Sequence, residues 1–455
     1  MTIKKLFLAF SIFFLLLISV VGQPPITPQT ALQSYLNIED ATFAWEIRDS
    51  YPVDNVTAYS ILLTSQKWQG MLWKHELIIF VPKVIDYDGA LLFITGSSIK
   101  DNEPKISNQN ERESQQMASL AENNRAVVGL LRQVPNQPLY DDLYEDALIS
   151  YTLNEFRKDN DYTWPLLFPM VKSASKAMDA IQEFASETLS HKLNRFVVSG
   201  FSKRGWTTWL TGAIEDERVV AIAPVVIDML NMPATLNYQK EVYGQFSKEI
   251  DDYVKLEIPQ AVNSPFGKAV VEMIDPYSYR HKLTIPKMIF FGTNDPYWTI
   301  DAVKHYIDDI PGNNLLHYVA NAGHGLGDKK QALSALSAYF ALNLANKPLP
   351  DYSWALKERW NRIHLTVKAT PNQLVRGVLW TSTSNSRDFR EAKWESDNIE
   401  LNKRDKSKLH VKLKYPKSGF RAFYVDLIYM DDKGKEYSVS TQAYVADKNE
   451  VFINK

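Results

Sequence analysis

Between residues 76 and 131 the apolar side chains come in short unbroken runs rather than at helical spacing. Glu76-Leu77-Ile78-Ile79-Phe80-Val81-Pro82, Ala90-Leu91-Leu92-Phe93-Ile94-Thr95 and Ala126-Val127-Val128-Gly129-Leu130-Leu131 each predict a strand. The second and third are apolar almost throughout, as strands covered on both faces are. The period then changes. Val171, Ala174, Met178, Ile181 and Ala185 recur at three and four residues between Pro169 and Ser190, which predicts an amphipathic helix. Arg195 to Ser199 reads as a short buried strand ending at Gly200, and a helix opens after Ser202 and runs to about Glu215. Strands are predicted again at Val219 to Val225, Lys287 to Phe291 and Leu315 to Val319, with helical material between the last two. Strands alternating with helices imply the α/β class, a mostly parallel sheet flanked by helices. Residues 30 to 75 form a mixed segment with few strong periods.

Two stretches depart from that alternation. Asp228 to Asp275 is long, mostly helical in character and rich in Tyr, Lys, Glu and Gln. It reads as a cap inserted over the C-terminal edge of the sheet, or as ordinary helices covering the sheet's flank. A break falls at Pro348-Leu349-Pro350, which closes the α/β unit at 30–347. From His364 onward short alternating runs such as Lys408-Leu409-His410-Val411-Lys412-Leu413 and Phe423-Tyr424-Val425-Asp426-Leu427 are separated by polar turns. They predict a small C-terminal β-sandwich over 360–455.

The N-terminus adds a destination. Lys4 and Lys5 precede an apolar stretch from Leu6 to Val21, followed by Gly22 and then Pro24, Pro25 and Pro28. That layout predicts a signal peptide over residues 1–22. The competing reading, an uncleaved anchor, needs a stretch nearer ~20 residues. The expectation is a secreted protein, periplasmic if the host is bacterial. No later stretch is long and apolar enough to span a membrane. Asn55-Val56-Thr57 is a glycosylation acceptor where the host glycosylates. Cysteine is absent, so disulfides and thiolate chemistry are excluded. The net charge of −2 with mixed signs gives no reason to expect a nucleic-acid partner. The basic stretch from Lys403 to Lys412 includes Asp405 and reads as a solvated loop or strand edge. No His-x-x-x-His pair appears, so neither a metal nor another cofactor is expected.

Candidate chemistry centres on Gly200-Phe201-Ser202-Lys203-Arg204-Gly205-Trp206. Ser202 sits between a buried strand and a helix start, the context of a nucleophile elbow. The pattern departs from Gly-x-Ser-x-Gly, because Arg204 stands two residues after the serine and Gly205 three after. A serine that caps a helix fits the same local structure. A serine nucleophile needs a base oriented by a carboxylate, and in this arrangement the chain order is Ser, acid, His. Asp295 follows directly on the strand ending near Phe291, and His324 lies between glycines just past the strand ending at Val319. Asp301 and Asp328 are rival acids and His317 a rival base, but none has that placement. The backbone N–H of Lys203 is one candidate oxyanion donor. Gly96, Ser97 or Ser98 is the second, unless Thr95-Gly96-Ser97-Ser98 is a simple turn.

These residues resemble a known family. Arg132-Gln133-Val134-Pro135-Asn136-Gln137-Pro138-Leu139, Glu145-Asp146-Ala147-Leu148-Ile149, Phe168-Pro169-Met170-Val171-Lys172-Ser173, Ser202-Lys203-Arg204-Gly205-Trp206 and Asn321-Ala322-Gly323-His324 look like the PhoPQ-activated pathogenicity-related family. That family includes exported bacterial proteins and a proliferation repressor secreted by social amoebae. The resemblance implies an α/β-hydrolase domain related to the peptidase branch, Ser-Lys-Arg-Gly as the normal elbow, and Ser202, Asp295 and His324 as the triad. On that view Glu145, Asp146 and Arg204 are candidates for substrate binding, the carboxylates taking a substrate amine. The alternative is a structural role, with either carboxylate paired to Arg132 or Arg204. Two functions stay open. One is a secreted, peptidase-like serine hydrolase acting on a peptide or ester substrate. The other is a signalling, growth-regulating or virulence-associated protein on a hydrolase scaffold, meeting a cell-surface receptor or a glycan.

Overall fold

A computed structural model describes residues 25–108, 110–401 and 405–453. The signal peptide expected over residues 1–22 lies outside them, as does Lys403. Six parallel strands form the centre of a large sheet, in the spatial order Val127–Leu131, Gly89–Ile94, Arg195–Phe201, Val219–Val225, Lys287–Gly292, Asn314–Val319. The chain reaches Gly89–Ile94 before its outer neighbour Val127–Leu131, and then returns to the other side with Arg195–Phe201. This reversal is the topological switch point, beside which crevices open at the C-terminal ends of strands. The order and the flanking helices are those of the α/β-hydrolase fold.

Alternation along each central strand feeds two cores. Leu91 and Phe93 join Met117, Leu120 and Phe340 on one face, from the helices Arg112–Asn124 and Lys330–Leu344. Leu92 and Ile94 join Val171, Met178 and Trp209 on the other, from the helices Leu167–Leu189 and Lys203–Ala213. The apolar face expected at Val171, Ala174, Met178, Ile181 and Ala185 is the buried one.

Residues 30–75, which lack a clear period, hold a helix and two long strands. The helix is Pro28–Leu36. The strands Ala44–Val53 and Val56–Trp68 extend the sheet antiparallel to Met71–Pro82. Ala44–Val53 is the sheet's outer edge and is exposed along most of its length, with Glu46, Arg48, Asp49 and Ser50 at its centre. Helices fill residues 228–275, chiefly Met232–Tyr243 and Pro265–Ile274.

The C-terminal antiparallel strands form two layers. In one, Glu436–Ser440, Phe420–Met430, Leu374–Ser384 and Trp394–Ile399 follow one another and continue the main sheet, joined where Leu316 pairs with Ser440. The other layer is Tyr352–Arg359, Arg362–Ala369 and Lys408–Lys414. Its Ile363, Leu365, Val367, Leu409 and Val411 pack in one core with Leu379, Val425 and Leu427.

At the junction His317 is buried, and its Nδ1 lies 3.0 Å from the Ser438 carbonyl oxygen. Burial pulls its pKa down to about 4, which keeps the ring neutral. Asp426 accepts hydrogen bonds from Ser440 Oγ (2.5 Å) and Trp380 Nε1 (2.8 Å). Burial raises its pKa to about 7 from 3.8. Between those values the folded chain holds a proton that the unfolded chain has lost, so stability falls as pH rises and levels off above the upper value. Asp275, also buried and raised to about 7, adds to the slope. His317, neutral when folded, gives a slope of opposite sign below its ordinary 6.5, so thermal melts from pH 5 to pH 8 will show the Tm of wild type falling with pH relative to that of Asp426→Asn. Asp426→Asn will flatten the decline by up to about 1 kcal/mol per pH unit.

Candidate active site

The strand Arg195–Phe201 and the helix Lys203–Ala213 meet at a single residue, Ser202, with φ 57° and ψ −122°. A non-glycine residue adopts this strained geometry only when its surroundings fix it. Ser202 N–H donates to the Val225 carbonyl (2.9 Å), and its own carbonyl accepts from Trp206 N–H at 2.9 Å. The neighbouring glycines are required by contact. A methyl group on Gly200 would lie 2.8 Å from Arg204 Cβ. One on Gly205 would lie 2.8 Å from the Val225 carbonyl oxygen and 3.0 Å from that of Gly200. The glycine three residues after the serine thus lets the first helical turn press against the adjacent strand. Arg204, between them, sends its guanidinium under Gly96, where no side chain would fit.

The loops after the last two parallel strands bring Asp295 and His324 to this serine. His324 Nε2 lies 2.8 Å from Ser202 Oγ, and His324 Nδ1 lies 2.9 Å and 3.1 Å from the two Asp295 carboxylate oxygens. Asp295 is buried, while Ser202 and His324 are half-buried. Tyr297 stacks on the imidazole with ring centroids 4.2 Å apart, and its N–H donates to Asp295 Oδ1 at 2.9 Å. The arrangement can pass a proton from the hydroxyl to the ring and hold the resulting imidazolium against a carboxylate. The rivals are engaged elsewhere. Asp301 is buried against Lys304 Nζ (2.9 Å) and the Tyr238 hydroxyl (2.7 Å), Asp328 is exposed, and His317 sits inside its strand.

A pocket opens beside Ser202, with an empty volume of about 740 Å³ including its mouth. Met229, Met232, Leu236, Ile258 and Val270 from residues 228–275 form much of its wall, and Trp206 and Trp298 close it from the scaffold. These helices therefore lie over the serine. Lys203 and Asp146 supply its charge and neutralise one another, with Nζ to Oδ2 at 2.7 Å. Asp146 also accepts from the Tyr253 hydroxyl (2.9 Å), which ties the covering helices to the scaffold. Glu145 forms a two-pronged pair with Arg204, both contacts at 2.7 Å. Burial opposes ionisation of Glu145, but the hydrogen bonds and charge of Arg204 hold its carboxyl at about 2. Arg132 turns away, to Glu111 (2.7 Å) and Glu76 (3.4 Å). The Lys203 residue lines the pocket with Ser202. Gly96 is held over Arg204, and Ser97 Oγ lies 3.5 Å from Arg132 Nη2. Asn55 is exposed, and its amide donates to Glu122 at 2.8 Å.

Nothing in the spacing of residues marks what steadies the two loops. Asn294 Nδ2, next to Asp295, donates to the Ala392 carbonyl at 2.7 Å and to those of Arg390 and Phe389 at 3.1 and 3.2 Å. Asn321, three residues before His324, exchanges two bonds with the Trp394 backbone at 2.8 and 3.0 Å. Thr293 Oγ1 accepts from Asn321 N–H (2.9 Å), joining one loop to the other. Among the described residues no cluster of metal-ligating side chains occurs, and no helix is long and apolar enough to cross a membrane.

A family model described as PhoPQ-activated pathogenicity-related protein matches residues 32–390. The chain belongs to that family. It is 29% identical to autocrine proliferation repressor protein A of Dictyostelium discoideum, over 95% of this chain and 92% of that one. Among solved structures, acetyl xylan esterase 1 from Thermoanaerobacterium sp. is 16% identical over 70% of this chain and 93% of its own, with a TM-score of 0.46. S-formylglutathione hydrolase from Agrobacterium tumefaciens is 11% identical over 66% and 99%, with a TM-score of 0.43. At these scores neither likeness bears on the chemistry of this PhoPQ-related chain.

The tight contacts at the elbow generate a stability test. Gly205→Ala will destabilise the fold by about 1–3 kcal/mol, read by thermal or urea unfolding, because the new methyl group meets backbone that cannot yield. Gly325→Ala, with no atom near the added methyl group, will leave Tm within the error of the wild type.

Proposed function

We propose that this PhoPQ-related chain is an exported serine hydrolase that cleaves an ester or amide through an acyl-enzyme. The observation that carries the reading is the 2.8 Å contact from His324 Nε2 to Ser202 Oγ, with Asp295 on the far side of the ring. Ser202 Oγ attacks the acyl carbon while His324 Nε2 takes its proton. The C–O or C–N bond then breaks as His324 returns the proton to the leaving group. Water repeats the sequence and frees the acid. The Lys203 N–H, at the first turn of the helix, is the oxyanion donor that the strand-to-helix turn supplies, and the Gly96–Ser97 loop is the candidate for the second.

The pocket narrows the acyl group. An aminopeptidase needs a carboxylate open to the substrate's amine, but Asp146 and Glu145 are already matched by Lys203 and Arg204. The remaining wall is apolar, which favours an uncharged, apolar acyl chain over a charged amino terminus. Export is supported by the N-terminal pattern of Lys4, Lys5 and the run from Leu6 to Val21.

The similarity to the Dictyostelium repressor over nearly the whole chain supports a second reading, a secreted regulator that needs no catalysis. A fluorophosphonate probe separates the two. Purified wild type will be labelled and Ser202→Ala will not. Labelling of both would remove Ser202 from the mechanism, and labelling of neither would favour the regulator. Hydrolysis of p-nitrophenyl esters will favour butanoate to octanoate over acetate, and Ser202→Ala will lose at least about 1,000-fold in kcat/KM.

A further inference from the structure

The three-stranded outer layer shows one face to the core and the other to solvent, and the two differ sharply in charge. Pairing register sets the outward rows. Arg359, Arg362 and Lys414 lie side by side, and Lys357, His364 and Lys412 form the next row. Thr366 and His410 follow beside Ala355, and Lys368 and Lys408 come last beside Ser353. Seven of these twelve outward positions are Lys or Arg, two are His and none is acidic. The chain as a whole carries 51 Lys and Arg against 53 Asp and Glu, so chance would put acids here in equal number.

All seven cations are exposed, and among the described residues Lys408 alone is in an ion pair, with Asp405 at 3.1 Å. A face held together for stability would interleave the two signs, because like charges placed across strands repel. Here His364 Nδ1 and His410 Nε2 are 3.4 Å apart. Partial burial, then Lys412 and His364, all pull the His410 pKa down. Apart from the Lys408–Asp405 pair, no ion pair among the described residues offsets that repulsion. At one end the Trp360 side chain, 86% exposed, sits on the turn between the first two strands, its ring edge-on to His364 at 6.4 Å. Lys408 to Lys412, from the basic stretch that reads in sequence as a solvated loop or strand edge, thus belong to one of three paired strands that share a cationic face.

We propose that this face binds a linear anionic polysaccharide, one carrying sulfate or carboxylate groups along its chain. Charge complementarity selects a polyanion. Adjacent outward positions lie about 7 Å apart along a strand and about 5 Å apart across strands, and the seven cations spread over them suit charges carried along an extended chain. Apart from Ala355 the platform has no apolar side chain to enter a bilayer, and Trp360 stands at its edge with an apolar ring face open to a sugar. The site lies on the opposite layer from the triad's sheet and does not depend on the catalytic reading.

Heparin is the probe. Wild type will bind it in calorimetry at 50 mM salt, and affinity will fall steeply as salt rises, from release of counterions. The charge reversal K357E/R362E/K412E will weaken binding at least about 100-fold. Reversal of three exposed lysines elsewhere, K192E/K268E/K393E, will change it less than about threefold. Trp360→Ala will weaken it by a few-fold on the platform that remains. Tm of each variant confirms that the fold is intact, and K357Q/R362Q/K412Q replaces the reversal if it does not fold. Absence of heparin binding by wild type would overturn the proposal, as would equal loss in the control variant. Tighter binding to vesicles containing phosphatidylserine than to heparin would replace it with a membrane surface.

Discussion

The close approach of the helix Lys203–Ala213 to the strands beneath it is the constraint from which the site follows. Where the chain turns from strand to helix, its backbone must pass within contact distance of the Val225 and Gly200 carbonyls. Only a residue without a side chain satisfies that at Gly205, and only one without a side chain at Gly200 leaves room for Arg204. The strain in Ser202 is the local cost of that approach, and it aims the hydroxyl out of the sheet. Once the hydroxyl points there, any base that serves it must come from a later loop at the same end of the sheet.

Arg204 links this constraint to the rest of the pocket. Its guanidinium bridges Gly96, the Val134 carbonyl and Glu145, so the first helical turn, the loop after Gly89–Ile94 and the start of the helix Glu145–Asp159 form one block. Asp146, the next residue, then meets Lys203 and Tyr253. Four charges are thereby placed beside the serine with no net excess, which leaves the apolar wall to dominate the pocket. A buried ion pair of this kind adds little net stability over an apolar substitute, but breaking one partner is costly. Its value here is geometric.

Much of this was legible in the sequence. The continuous runs at Ala90 and Val127 and the abrupt change of period at Val171 identify strands buried on both faces and an amphipathic helix. Ser202, Asp295 and His324 each follow a strand, and that placement together with the order Ser, acid, His sets them apart from Asp301, Asp328 and His317. The edge strand Ala44–Val53 was not legible, because exposure along most of its length and a register shift between Ile47 and Asp49 erase the alternation that marks a strand. Nor was the fusion of the C-terminal strands to the main sheet. The join at Leu316 and Ser440 rests on backbone pairing and on scattered polar contacts, such as His317 Nδ1 with the Ser438 carbonyl, that no spacing marks, so a separate sandwich and an extended sheet produce the same pattern. Tyr297 was within reach, two residues beyond the acid, but its stacking on His324 requires a loop fold that spacing does not encode.

The bonds from Asn294 and Asn321 to residues 389–394 give the C-terminal region a share in the site that its distance along the chain conceals. Serine, carboxylate and imidazole all belong to the α/β part, yet two of the three stand on loops braced from outside it. A change confined to residues 389–394 would leave the Ser202 turn as it is while loosening the loops that carry Asp295 and His324. A cut in that segment would thus be felt at the serine, as a loss of alignment between its turn and the two loops.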